Sequence, residues 1–151
     1  MPEWNLTGSR MFSHAAKFID AYHNVLQPLC RETGLPPMAM DILLFVANNP
    51  DRNTASDICQ CRGLKPGIVS VHVDRLVNEG LLVRAEAAND RRKTRLACTE
   101  KAQSVVAEGR KLQKAFANKL SDGINESDME SFRRTLNRFG ENLEDILRHG
   151  L

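Results

Sequence analysis

The feature that most constrains this chain is the run Gly80-Leu81-Leu82-Val83-Arg84, followed shortly by Asn89-Asp90-Arg91-Arg92-Lys93-Thr94-Arg95-Leu96. Its residue types predict two short strands, Leu81 to Glu86 and Thr94 to Cys98, joined by a charged tip. The tip carries Arg91, Arg92 and Lys93, with Arg95 just beyond it. A ribbon with cations at its end suits a polyanion that has a groove. Upstream, two short helical segments meet at Arg62-Gly63. Helix, turn, helix and basic hairpin is the order of a winged helix-turn-helix. A basic hairpin by itself is as readily a solvated turn. The helix pair before it is what tilts the reading toward double-stranded DNA.

The charge distribution agrees. From Arg52 to Arg95 nine basic residues stand against five acidic ones, so this stretch carries +4 while the whole chain carries only +2. Positive charge gathered on one module is what contact with phosphates requires. No apolar run spans a bilayer and Met1 to Arg10 is polar, so no membrane partner and a cytoplasmic location are expected. Cys30, Cys59, Cys61 and Cys98 are then expected to be free thiols.

The remaining segments read as helices. Phe12, Ala15, Ala16, Ile19, Tyr22, Val25, Leu26 and Leu29 recur at helical spacing over Ser9 to Arg31. Gly34 ends that helix, and Pro36-Pro37 opens a short, nearly all-apolar one from Met38 to Ala47, which should be buried. Thr54 caps the next helix, with Asp57 placed to reach back, and Ala55, Ile58 and Cys59 form its inner face. After Arg62-Gly63-Leu64, Pro66 begins a helix that runs to Glu79, with Val69, Val73 and Leu76 inward and Ser70, Val71, Asp74 and Arg75 outward. Beyond the hairpin, Thr99 caps a helix from Glu100 to about Leu120, striped by Ala102, Val105, Val106, Leu112 and Phe116.

Asn125 caps a last helix, where Phe132, Leu136, Phe139, Leu143, Ile146 and Leu147 line one face at spacings of four, three, four, three and one. With Ile19 of the first helix, they are the candidate dimer-interface residues, buried across a two-fold axis. Packing within the monomer is the alternative. The expected fold is mainly α with a small β-hairpin wing, a winged helix-turn-helix with long N- and C-terminal dimerisation helices. It is read as a single domain over 1–151, with dimerisation helices at 9–31 and 125–148, the core at 36–98 and a connecting helix at 99–121.

This order of elements, and the residues Val73-Asp74-Arg75-Leu76 through Gly80-Leu81, Asp90-Arg91-Arg92 and Leu96 to Thr99-Glu100-Lys101, resemble the MarR family of bacterial transcriptional regulators. Asp90 and Arg92 match the family's Asp-x-Arg at the wing. Leu96 to Ala102 matches its Leu-x-x-Thr-x-x-Gly, with Ala102 in place of the glycine. The resemblance implies a homodimer on a palindromic operator, with a recognition helix in the major groove and wing arginines in the minor groove. Arg92 is the residue it places there, positioned by Asp90. The DNA-binding set is then Lys65, Pro66, Gly67, Ser70, Val71, His72, Arg75, Asp90, Arg91, Arg92, Lys93 and Arg95. Two departures stand out. Lys65-Pro66-Gly67 lacks the usual Ser or Thr cap, and Val71 stands where a polar base reader is common. Specificity would then rest on Ser70, on Val71 against a thymine methyl, and on groove shape.

The resemblance also implies a small phenolic or aromatic-acid effector, in a crevice that Phe12, Ala16, Tyr22, Met38, Met40 and Phe45 would line; plain core is the alternative. Redox sensing through a first-helix cysteine is known in part of the family, which brings up Cys30. Cys59-x-Cys61 is half a zinc site without a second half, and His14 or His23 with Cys30 would bind metal only if the fold gathered them, so no metal and no cofactor is expected. His72 either packs or touches phosphate. Asp41, amid apolar neighbours, is either an exposed edge residue, the reading preferred here, or paired with an arginine. No paired carboxylates, nucleophilic triad or phosphate loop stands out, so no enzymatic activity is expected. A dimeric interaction module that has lost operator reading is the rival.

Overall fold

The structure, a computed structural model, describes the backbone of residues 4–87 and 90–151 and the side chains of residues 8–86 and 94–151. Its elements run α1 (Trp4–Thr33), α2 (Pro37–Asn48), α3 (Ala55–Arg62), α4 (Pro66–Asn78), β1 (Leu82–Ala87), β2 (Asp90–Cys98), a 3₁₀ turn (Glu100–Ala102), α5 (Gln103–Leu120) and α6 (Glu126–His149). The described chain falls into two compact units, Met1–Phe116 and Ala117–Leu151, so the boundary lies inside α5.

The first unit is built around α2. Ala39 through Val46 are all buried, because neighbours cover every side of that helix. Leu26 and Leu29 of α1, Ile58 of α3, Val69, Val73 and Leu76 of α4, Leu82 and Leu96 of the hairpin, and Ala102 and Val106 complete one core. Ala55, expected on the inner face of α3, is exposed; Ile58 alone of that helix is buried. The first helix starts at Trp4 rather than Ser9, since Gly8 costs only about 1 kcal/mol within a helix and does not end it. Residues 9–20 of it are exposed, Phe12 to 83%.

At the crossing of α2 and α5, Gly109 is buried against Leu44. A methyl group placed on Gly109 would stand 2.9 Å from Leu44 Cδ1 and closer still to Cδ2. Gly109→Ala sets an overpacking cost of about 1–3 kcal/mol against a gain of about 1 kcal/mol in helix propensity. Denaturant unfolding should show a net loss of up to about 2 kcal/mol. In a Leu44→Ala background the same substitution should become neutral or stabilising, because the obstructing side chain is gone. An additive loss in the double variant would contradict the contact.

The hairpin is antiparallel, with Leu82 opposite Cys98, Arg84 opposite Leu96 and Glu86 opposite Thr94. The register shifts between Glu86 and Ala87, which pairs with Asp90. The second strand therefore begins at Asp90, not Thr94, and the backbone of Arg91, Arg92 and Lys93 belongs to it rather than to a free tip; the longer strand absorbs the mismatch as a bulge. Thr99 ties the sheet to the 3₁₀ turn that precedes α5. Its hydroxyl donates to Gly80 O at 2.6 Å and accepts from Ala102 N, capping that turn.

In the second unit, Asn125 Oδ1 accepts from Asp128 N at 2.9 Å and caps α6. The polar faces of that helix carry ion pairs such as Arg138–Glu141 and Arg148–Glu144. Its apolar stripe, Phe132, Leu136, Phe139, Leu143, Ile146 and Leu147, is exposed throughout, and no residue of α6 is buried.

Candidate nucleic-acid interface

The two helices of the central motif are set by local chemistry. Thr54 Oγ1 accepts from Asp57 N at 3.1 Å, and Asp57 Oδ2 accepts from Thr54 N at 3.1 Å, a reciprocal cap that fixes the start of α3. Gly63 ends α3 at φ 62°, a left-handed conformation that suits glycine. Pro66 then opens α4, and Lys65 supplies no side-chain cap.

The inner face of α4 is Val69, Val73 and Leu76, all buried. Its outer face presents Ser70, Val71 at 67% exposure and, closer to the start, Lys65, Pro66, Gly67 and Ile68. A methyl on Gly67 would meet nothing within 4 Å, so this end of the helix is open. Ile68, which the sequence reading passed over, is an exposed apolar side chain beside Val71. Two other expected readers have partners or cover within the chain. Arg75 donates to Gly34 O at 2.6 Å and pairs with Glu79 at 3.1 Å, so its guanidinium is tied to the α1–α2 turn. His72 is half-buried; burial and then the Arg75 charge push its pKa down, which favours the neutral ring over a phosphate-binding cation.

The hairpin stands beside α4. Arg84 of β1 pairs with Asp74 of α4, joining wing to helix, and Arg95 is exposed. Arg84 was not among the expected residues; its partner lies on another element, and nothing local signals the pair. The side chains of Asp90, Arg91, Arg92 and Lys93 lie outside the described residues. Between α3, α4 and the hairpin is a concavity of about 390 Å³ with Ser56, Cys59, Ser70, Arg84 and Thr94 on its walls. A third segment supports the sheet: Leu96 N donates to Asn53 O at 2.9 Å, and Thr54 bridges to Arg95.

The six residues expected to line an effector crevice are spread out. Met40 and Phe45 are core, Tyr22 and Met38 are half-buried, and Phe12 and Ala16 are exposed. None of them lines the concavity above or the second one, of about 340 Å³, beside Cys30, Gly34 and Arg75. Tyr22 instead accepts from Gln113 Nε2 at 2.8 Å, and burial raises its pKa. Ile19 is exposed, like the α6 stripe.

Asp41 is not the exposed edge residue preferred from sequence. It is 3% exposed and accepts from Arg62 Nε at 2.8 Å and Nη2 at 3.3 Å. Burial raises the pKa of the Cys30 thiol, and likewise that of Cys98, against what a reactive thiolate needs. Cys59 is half-buried and Cys61 exposed, both free. Among the described residues no three or more His, Cys, Asp or Glu side chains gather as a metal site, and no helix is long and apolar enough to cross a membrane.

A family model described as the MarR family matches residues 33–93, from the end of α1 to the wing. Solved structures share the fold. A MarR-family transcriptional regulator from Rhodococcus sp. RHA1 superposes with a TM-score of 0.71 at 20% identity, over 92% of this chain and 95% of that one. A MarR-family regulator from Listeria monocytogenes, complexed with a 26mer DNA, gives 0.74 at 17% identity over 93% of each chain. CouR from Rhodococcus jostii RHA1, bound to p-coumaroyl-CoA, gives 0.69 at 20% identity over 88% and 90%. Residues 33–93 thus match the MarR-family model, and the chain has the winged-helix fold of these solved structures.

Proposed function

We propose that the chain is a homodimeric, sequence-specific DNA-binding regulator of transcription, working in the cytoplasm as a repressor that a small amphipathic, phenolic-type ligand releases. The observation that carries the reading is α4, whose inner face is core while its outer face, from Lys65 to Val71, is open beside a basic hairpin. A helix so held presents its outer residues to a major groove, with the hairpin reaching the flanking backbone. The Listeria structure holds DNA on the same fold. The exposed α6 stripe supports a second copy as the partner that sets two recognition helices one groove apart. CouR, with its p-coumaroyl-CoA, supports an aromatic effector. Such a ligand must favour a dimer whose helices are mis-spaced, a coupling of about 1–3 kcal/mol. The raised pKa values of Cys30 and Cys98 weigh against a thiol switch.

Selection from a pool of random duplexes tests the reading. It should recover an imperfect palindrome with half-sites about one helical turn apart. A pool without enrichment would favour the interaction module instead, for which the apolar Ile68 and Val71 on the outer face are the specific support. On the selected duplex, Arg92→Ala should weaken binding by about 1–3 kcal/mol with the dimer intact. Binding equal to the parent's, measured by fluorescence anisotropy, would remove that arginine from the groove.

A further inference from the structure

We infer that Asp41 and Arg62 are positioning residues for operator reading: their ion pair sets the angle at which the two helices of the motif leave the body of the protein. The inference rests on the regulator reading above. Among the described residues Asp41 is the one charged or polar side chain that is buried; every other core residue is apolar. A buried ion pair is a poor way to add stability, since apolar side chains of similar volume usually do as well or better. What it supplies is direction. Arg62 donates to both carboxylate oxygens, and its guanidinium also lies over the Phe45 ring at 4.9 Å. Asp41 and Phe45 stand one turn apart on α2, so a single helix face grips the planar group at two points.

The position of Arg62 gives that grip its consequence. It is the last residue of α3, next to Gly63, and α4 starts at Pro66. The turn between the helices is therefore anchored at its root to α2. The anchor extends inward: the Asp41 charge acts on the Tyr22 hydroxyl, Gln113 donates to that hydroxyl, and Asn48 donates to Gln113 at 2.9 Å. A change in the Asp41–Arg62 geometry shifts the root of α4 while its inner row, Val69, Val73 and Leu76, stays in the core. Non-specific affinity, which comes from phosphate contacts, tolerates such a shift; base reading does not.

The experiment compares the parent with Asp41→Leu/Arg62→Met and with Arg62→Lys, on the selected operator and on an unrelated duplex, alongside thermal unfolding. The double apolar variant should melt at or above the parent's temperature and keep its non-specific affinity. Its preference for the operator should fall roughly ten- to a hundredfold, the loss expected for about one mismatched base pair. The lysine variant, which keeps the charge but lacks the planar fork, should recover part of that preference. A folded double variant with the parent's preference overturns the inference and leaves the regulator reading standing. If the double variant fails to fold, Arg62→Lys carries the test, and an unchanged preference there overturns the inference. A parent that shows no operator preference overturns both.

Discussion

Raising the salt from about 50 to about 200 mM should lower the affinity of this protein for DNA on the order of a thousandfold. The size of the drop is set by which cations are free. Nine basic residues lie between Arg52 and Arg95, but three of them are committed inside the protein. Arg62 is held by Asp41, Arg75 by Gly34 O and Glu79, and Arg84 by Asp74. Arg52, Lys65 and Arg95 are exposed, and the sequence adds Arg91, Arg92 and Lys93 on the wing. If about six cations of a dimer meet phosphates, the loss over that fourfold change in salt is about a thousandfold. The plot of log affinity against log salt should be straight. A flat response removes DNA as the partner.

A dimer built on α6 should be as sensitive. Leu143 is 57% and Ile146 44% exposed in the single chain, so replacing both by glutamate leaves the buried core untouched. Across a two-fold axis the same change removes four apolar side chains from an interface and sets like charges in it. At about 1.5 kcal/mol for each lost side chain, the dimer loses roughly 6 kcal/mol, on the order of 10⁴ in its dissociation constant. Sedimentation or light scattering should find a soluble monomer whose helical content matches the parent's. That monomer should also lose its operator, since one recognition helix alone reads only half a site. A double variant that stays dimeric places the interface elsewhere.

Much of the fold was legible because its signals are local. The Thr54–Asp57 cap, the stop at Gly63, the buried Val69-Val73-Leu76 row and the Asn125 cap are each decided within a few residues. The candidate site was legible in its place more than in its detail. Arg75 has the spacing of an outward reader, yet the carbonyl that claims it lies on a turn far back in the chain, at Gly34. Asp41 and Arg62 likewise meet only through tertiary packing. Periodicity shows which face a side chain occupies and says nothing about a polar partner on another element. The effector set shows the same limit from the other side: Met40 and Phe45 are as apolar as a crevice wall and serve as core. The start of β2 at Asp90 was hidden because a run of cations has little strand propensity, and pairing with β1 overrides it.

The attachment of the hairpin to the segment before α3 has a consequence for how such a protein can diversify. The link from Leu96 N to Asn53 O is made by main chain alone, and the Thr54 bridge to Arg95 is a backbone pairing as well. Atoms present in almost every residue hold the wing at its base. Substitutions at Ser70 or Val71 of α4 or along the far part of the hairpin can therefore accumulate without loosening the frame that aims them. Lineages could drift toward new target sequences while inheriting the same mount unaltered, and only a proline at Leu96 would remove the donor on which it hangs.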